Sequence, residues 1–118
     1  MGYMSDVAIL LNDTAVNVMP EKIRTALDKV LPNNKKVEID DVSWTLYYVE
    51  CCKWNPMFSE DVSAIEGWLD KLDYGKDELY EFLRIGEDFD DEEHHKNHEY
   101  DPDVLTVERF IACNGETL

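Results

Sequence analysis

The stretch that decides the fold is residues 44–54, WTLYYVECCKW, a run rich in strand-forming residues. In a regular strand, one side would carry Trp44, Leu46, Tyr48 and Cys52, and the other Thr45, Tyr47, Val49 and Cys51. Apolar groups then occupy both faces, which is typical of a central strand that is covered on each side. Asn55 and Pro56 end the run.

Upstream of this strand, the pattern predicts a strand, a helix and a second short strand. Residues 6–11, DVAILL, read as a strand that stops at a turn-forming Asn-Asp pair. A helix follows from Pro20, because proline suits the first helical position and apolar side chains then recur on one face. Residues 32–34 end this helix, and residues 37–39 form the short strand.

Downstream, the pattern predicts a second helix and two more strands. Ser59 is a good N-cap for this helix. The apolar face of the helix consists of Val62, Ile65, Trp68, Leu69 and Leu72. Gly75 ends the helical region, and residues 79–85 and 104–113 each read as a strand.

This order of elements predicts an α+β fold. We expect an antiparallel sheet of four to five strands with two helices on one face, in the ferredoxin-like (split βαβ) order, extended by an extra C-terminal strand. The 118 residues suit a single domain, 1–118, with an acidic, histidine-containing loop at residues 87–103.

The composition narrows the class of protein. With 27 acidic and 11 basic residues, the net charge of −16 disfavours direct binding to nucleic acid or to an anionic membrane. Cys51, Cys52 and Cys113 are an odd number without CxxC spacing, as expected in a reducing compartment. The first residues lack the features of a signal peptide, so the sequence predicts a cytoplasmic protein.

The negative charge is concentrated in one part of the chain. Residues 59–103 hold 17 acidic and 4 basic residues, a net charge of −13, whereas residues 1–58 carry only −2. A DNA duplex about as long as such a domain carries roughly 20 charges, so this segment could compete for a DNA-binding groove. The predicted partner-binding residues are Glu60, Asp61, Glu66, Asp70, Asp73, Asp77, Glu78, Glu87, Asp88, Asp90, Asp91, Glu92 and Glu93. A charged surface that serves only solubility is the alternative.

The three histidines offer a second candidate site. In a helix, His94 and His98 would share a face at zinc-ligand spacing. The carboxylates that could complete a metal shell are Glu92, Glu93, Glu99 and Asp101. The segment matches neither HExxH nor an EF-hand loop, so His94 and His98 are only weak candidates, and we predict no cofactor. No residue set forms a catalytic signature, and the chain is predicted not to be an enzyme.

Several short motifs resemble those of small acidic proteins encoded by tailed bacteriophages. The matching residues are 46–48, 53–54, 61–62, 65–72 and 82–88, so the resemblance spans roughly residues 44–93. It implies a context in which such proteins often inhibit host defence or nucleic-acid enzymes, sometimes by imitating DNA. No functional residue carries over from that group.

Charge and resemblance together predict a non-enzymatic phage protein in the host cytosol. It would bind and inhibit a host protein with a basic, nucleic-acid-binding surface, as a DNA mimic or anti-defence factor. Two alternatives remain: a metal-binding protein that uses His94, His95 and His98, and a small phage structural or assembly component. The sequence does not decide the oligomeric state.

Overall fold

The computed structural model describes residues 4–88, 90–99, 104–107, 111–113 and 116–117. The strands are β1 Ser5–Asn12, β2 Asn33–Ile39, β3 Val42–Cys52, β4 Tyr80–Gly86, β5 Glu92–Lys96, β6 Leu105–Val107, β7 Ile111–Cys113 and β8 Glu116–Thr117. The helices are α1 Asp13–Asn17, α2 Glu21–Val30 and α3 Glu60–Leu72. None of the helices in the described part of the chain has the length and apolar character needed to cross a membrane.

The first five strands form one sheet in the order β2-β3-β1-β4-β5, and every neighbouring pair is antiparallel. The predicted α+β class and antiparallel sheet are therefore confirmed. The central strand is β1, in which Val7 to Leu11 are completely buried. Burial of each large aliphatic side chain contributes about 1.5–3 kcal/mol, so this strand is a major source of stability.

The two faces of β1 belong to different hydrophobic cores. Val7, Ile9 and Leu11 pack in a cluster with buried residues of all three helices. Ala8 and Leu10, which alternate with them, pack in a second cluster with side chains of β3 and β4 and of the C-terminal strands. The helices therefore contribute to one core and the C-terminal segment to the other.

Side-chain caps fix the starts of two helices. Ser59 Oγ accepts a hydrogen bond from Val62 N at 3.2 Å, so the predicted N-cap of α3 is confirmed. Asn12 Oδ1 accepts from Ala15 N at 2.9 Å and caps α1, a five-residue helix at the place where the sequence predicts only a turn. The same oxygen accepts from Leu79 N at 3.1 Å, which ties the end of β1 to the start of β4.

Two predictions about the C-terminal half are wrong. Residues 104–113 do not extend the main sheet: β6 and β7 form a separate sheet with β8, in the order β6-β7-β8. The fifth strand of the main sheet is β5, which lies inside the segment predicted as an acidic loop, residues 87–103. Residues 89, 100–103 and 108–110 of these predictions lie outside the described residues.

A bulge interrupts the regular alternation of β3. Ser5 pairs with Cys52 and Val7 with Val49, so β3 has one more residue than β1 between these pairs. Cys51 has a positive φ of 56°, and its N–H donates to Asp6 Oδ1 at 3.0 Å. Cys52 consequently packs against the helix-side core, together with Val49, and not on the face predicted from strict alternation.

Candidate functional site

The acidic residues predicted to bind a partner lie on α3, on the connection to β4, and on β5 with the turn before it. Eight of them are exposed: Glu60, Asp70, Asp73, Asp77, Glu87, Asp88, Asp90 and Glu92. Five are half-buried: Asp61, Glu66, Glu78, Asp91 and Glu93. The exposed group can meet a partner directly, whereas the half-buried group also contacts the protein itself.

Arg84 neutralises part of this charge. Its guanidinium, almost buried on β4, makes two hydrogen bonds to Asp91, at 2.7 and 3.2 Å, and one to Glu93 at 2.9 Å. It also donates to Ser5 Oγ at 3.0 Å. The bond to Asp91 raises the pKa of Arg84, burial opposes this shift, and Glu93 adds to it. Asp91 and Glu93 therefore stabilise the β4–β5 hairpin as well as contributing to the surface charge.

Carboxylates from α3 and β5 meet at a cleft between these two elements. The cleft is lined by Glu66, Leu69, Asp70, Tyr80, Phe82, Glu93 and His95. Trp54 Nε1 donates to Glu66 Oε2 at 2.7 Å. Burial raises the pKa of Glu66 most, the bond from Trp54 lowers it, and the charges of Glu93 and Asp70 raise it further. Acidic residues far apart in sequence are thus close enough to interact.

One buried carboxylate, Glu81, was not among the predicted site residues. It lies on β4 and has no exposure to solvent. Its Oε1 accepts from His98 Nε2 at 2.6 Å and from Val104 N at 3.2 Å. Its Oε2 accepts from His94 Nε2 at 2.6 Å and from Leu105 N at 3.0 Å. Four hydrogen bonds therefore converge on one buried side chain.

The environment of Glu81 favours its charged form. Burial alone would raise its pKa and is the largest single effect. The hydrogen bonds from His98, His94 and the N–H of Leu105, together with the charge interaction with His98, outweigh burial and lower the pKa. Because an ionised carboxylate only accepts hydrogen bonds, both histidines donate to it through Nε2.

The three histidines do not form one site. His94 lies opposite Leu83 and contacts Glu81, whereas His95 lies opposite Phe82 and stacks on its ring at 5.8 Å. His98 also contacts Glu81, and its ring packs edge-on against that of Trp44 with the two ring centroids 6.0 Å apart. Across the described ranges, no group of three or more His, Cys, Asp or Glu side chains is arranged to hold a metal ion. Asp101, a predicted member of the metal shell, lies outside these ranges.

The sequence around Glu81 contains a signal of its burial. Residues 79–85 read LYEFLRI, and in a strand Glu81 shares a face with Leu79, Leu83 and Ile85. A single acidic residue on an otherwise apolar face indicates a buried charge with dedicated partners. The histidines that follow within twenty residues were available as those partners.

The arrangement around Glu81 supports a structural role. Both carboxylate oxygens already have two donors each, and the side chain is inaccessible to solvent. These bonds join β4 to β5, to the residues after β5, and to the start of β6. Glu81 therefore attaches the C-terminal sheet to the main sheet.

No family model, no curated protein and no solved structure matches this chain.

Proposed function

We propose that this chain is a non-enzymatic acidic binding protein that occupies and inhibits the basic, nucleic-acid-binding surface of a host protein. The observation that carries the proposal is the placement of the acidic residues: carboxylates of α3, of its connection to β4 and of the β4–β5 hairpin are exposed, and one cleft brings Asp70 of α3 near Glu93 of β5. Complementary charge of this kind steers association and gives specificity.

The dimensions of the molecule support imitation of DNA. Its longest axis is 41 Å, a length over which duplex DNA carries about 24 charges. The whole chain carries −16, of which −13 belongs to residues 59–103. A groove that binds a DNA segment of this length would therefore meet a comparable density of negative charge.

The proposal extends to the fold and the origin of the chain. The position of β1 between β3 and β4 supports the ferredoxin-like order, with β5 as the added strand. The shared core of α2 and α3 supports helices on one face. The resemblance to small acidic proteins of tailed bacteriophages supports a phage protein that acts in the host cytosol against a defence system.

The metal-binding alternative receives less support from the geometry. His94 and His98 direct Nε2 at Glu81, and His95 lies on the opposite face of β5. A metal site built from all three histidines would require β5 to rearrange and Glu81 to lose two of its donors. Dialysis against a chelator followed by thermal melting tests this alternative, which predicts a lower melting temperature after metal removal.

A pull-down from a bacterial lysate tests the main proposal. The bait is this chain, washed at low and at high salt, and the expected result is a retained nucleic-acid-binding protein or defence complex that elutes with salt. Neutralisation of three exposed carboxylates, Asp70→Asn, Asp90→Asn and Glu92→Gln, should weaken retention and reduce its dependence on salt.

A matched control removes the same charge elsewhere. Glu38, Asp40 and Asp41 are exposed around the β2–β3 turn, at the opposite edge of the sheet from β5. Amides at these three positions should leave retention unchanged. The proposal fails if no such protein is retained or if retention does not depend on salt. It also fails if the control variant loses as much binding as the variant at Asp70, Asp90 and Glu92.

A further inference from the structure

Two large apolar side chains project from the turn before α3. Met57 and Phe58 are each 85% exposed. Hydrogen bonds to Asn55 hold this turn: its backbone oxygen accepts from Phe58 N at 3.2 Å and from Ser59 N at 3.1 Å. Its side-chain Oδ1 accepts from Met57 N at 2.9 Å. The backbone of the turn is therefore held in place, and it directs the two side chains to solvent.

A groove between α2 and α3 lies beside this turn. It is lined by Lys22, Ile23, Ala64, Gly67, Trp68 and Lys71. The hollow next to Met57 and Phe58 shares Lys22 and Ala64 with the groove, so the two features adjoin. A Cβ added at Gly67 would meet nothing within 4 Å, which leaves open space above α3 at this point.

The charges around these features are complementary to each other. Lys71 borders the groove, Glu60 lies beside the projecting turn, and Lys22 lines both features. A two-fold symmetric pair places the same patch of both copies face to face, so each copy supplies one projection and one groove. In such a pair we expect Glu60 of one copy to face Lys71 of the other, and Phe58 to meet Ala64 and Gly67.

From this self-complementarity we infer that the chain forms a two-fold dimer through the α2–α3 face, with Met57 and Phe58 of each copy seated in the groove of the other. The partner is a second copy of this chain, because projection, groove and both signs of charge occur on one face. The inference goes beyond the proposed function and does not depend on it.

The salt dependence separates this dimer from binding to a basic partner. Two copies of net charge −16 repel each other. Salt weakens both this repulsion and the few Glu60–lysine contacts but leaves apolar burial intact, and the repulsion between the whole chains is the larger effect. Dimerisation should therefore strengthen as salt is added, whereas binding of the acidic surface to a basic protein should weaken.

Size-exclusion chromatography with light scattering tests the dimer. The wild type should reach twice the 13.8 kDa mass of one chain as concentration and salt rise. Phe58→Ser should raise the dimer Kd by roughly 100-fold, because each dimer buries two copies of this side chain. Gly67→Gln should also give monomers, by filling the groove. Gly67 is exposed in the middle of α3, so glutamine there should not lower the melting temperature.

Tyr74→Ser is the matched control, since Tyr74 is 91% exposed, follows the end of α3, and lines neither the groove nor the hollow beside the turn. This variant should dimerise like the wild type. A monomer at every salt and protein concentration overturns the inference. Dimers of Phe58→Ser and Gly67→Gln with wild-type affinity, or an equal loss in Tyr74→Ser, overturn it as well.

A charge exchange provides an independent check. Lys71→Glu and Glu60→Lys each place like charges opposite one another in a dimer of identical copies, and each should weaken self-association. An equimolar mixture of the two variants restores both opposite-charge contacts, so it should form a heterodimer. Failure of the mixture to associate more tightly than either variant alone contradicts the proposed orientation.

Discussion

The imidazole of His98 and the carboxylate of Glu81 form a hydrogen bond of 2.6 Å between two side chains that have no exposure to solvent. Seventeen residues separate them in sequence. A buried charged group is stable only when hydrogen-bond partners surround it. For Glu81, His94 and two backbone N–H groups donate the other three hydrogen bonds. The junction of the two sheets therefore depends on one ionised residue.

Glu81→Gln should destabilise the protein strongly. An amide keeps the shape of the side chain, but its NH₂ group would face donors, which leaves buried N–H groups without an acceptor. The expected loss is about 2–4 kcal/mol in the free energy of unfolding, measured by urea denaturation. Glu99→Gln is the control: Glu99 is exposed, so its substitution should change stability by less than about 0.5 kcal/mol. Equal stabilities of the two variants would contradict the role assigned to Glu81.

The lowered pKa of Glu81 also predicts that the free energy of unfolding depends on pH. Because folding lowers this pKa below the ordinary value of 4.5, the ionised group stabilises the fold above that pH. The contribution is lost as pH falls through the lower, folded-state value. Unfolding free energies measured from pH 7 to pH 3 should therefore fall more steeply for the wild type than for Glu81→Gln. Parallel curves would show that another group controls acid unfolding.

Arg84→Met should loosen the β4–β5 hairpin. The substitution removes the hydrogen bonds to Asp91, Glu93 and Ser5 and leaves two neighbouring carboxylates without their counter-charge. We expect a loss of about 2–3 kcal/mol in urea denaturation, part of which added salt recovers by screening the carboxylates. Lys76→Met, at an exposed position, should have little effect. A loss that salt leaves unchanged would point to packing as its cause.

The adjacent cysteines should differ in reactivity. Cys51 is exposed, whereas burial, with a smaller effect from the charge of Asp6, raises the pKa of Cys52 to about 11. At pH 8 only about 0.1% of Cys52 is then thiolate. Iodoacetamide followed by mass spectrometry should modify Cys51 first, and Cys51→Ser should abolish the fast phase. Modification of Cys52 at a similar rate would contradict the bulge geometry.

Local signals in the sequence were sufficient to predict most strands of the main sheet and the start of α3. Ser59 caps α3 as predicted, and the apolar run of β1 lies at the centre of the sheet. Such elements are predictable because a capping side chain and a period-two pattern act over a few residues. The bulge at Cys51 was not predictable, because it depends on the pairing with Ser5 and Asp6.

The C-terminal half shows why β5 and the role of Glu81 could not be predicted. The sequence of β5, EEHHK, has the composition of a solvated loop, and only its pairing with β4 makes it a strand. Glu81 lies in an apolar strand, outside the acidic run on which the predicted site was based. Contacts between distant residues determine both the strand β5 and the burial of Glu81, and such contacts cannot be inferred from composition.

The attachment of β5 has a consequence for binding. His94 is fixed to Glu81 on one side of the strand, and Glu93 is fixed to Arg84 on the other. A flexible acidic tail would lose conformational entropy on meeting a partner, at about 0.5–1.5 kcal/mol for each side chain that becomes immobilised. Arg84 already immobilises Asp91 and Glu93 of this hairpin in the folded protein, so in the proposed complex these two side chains would not incur that cost on binding.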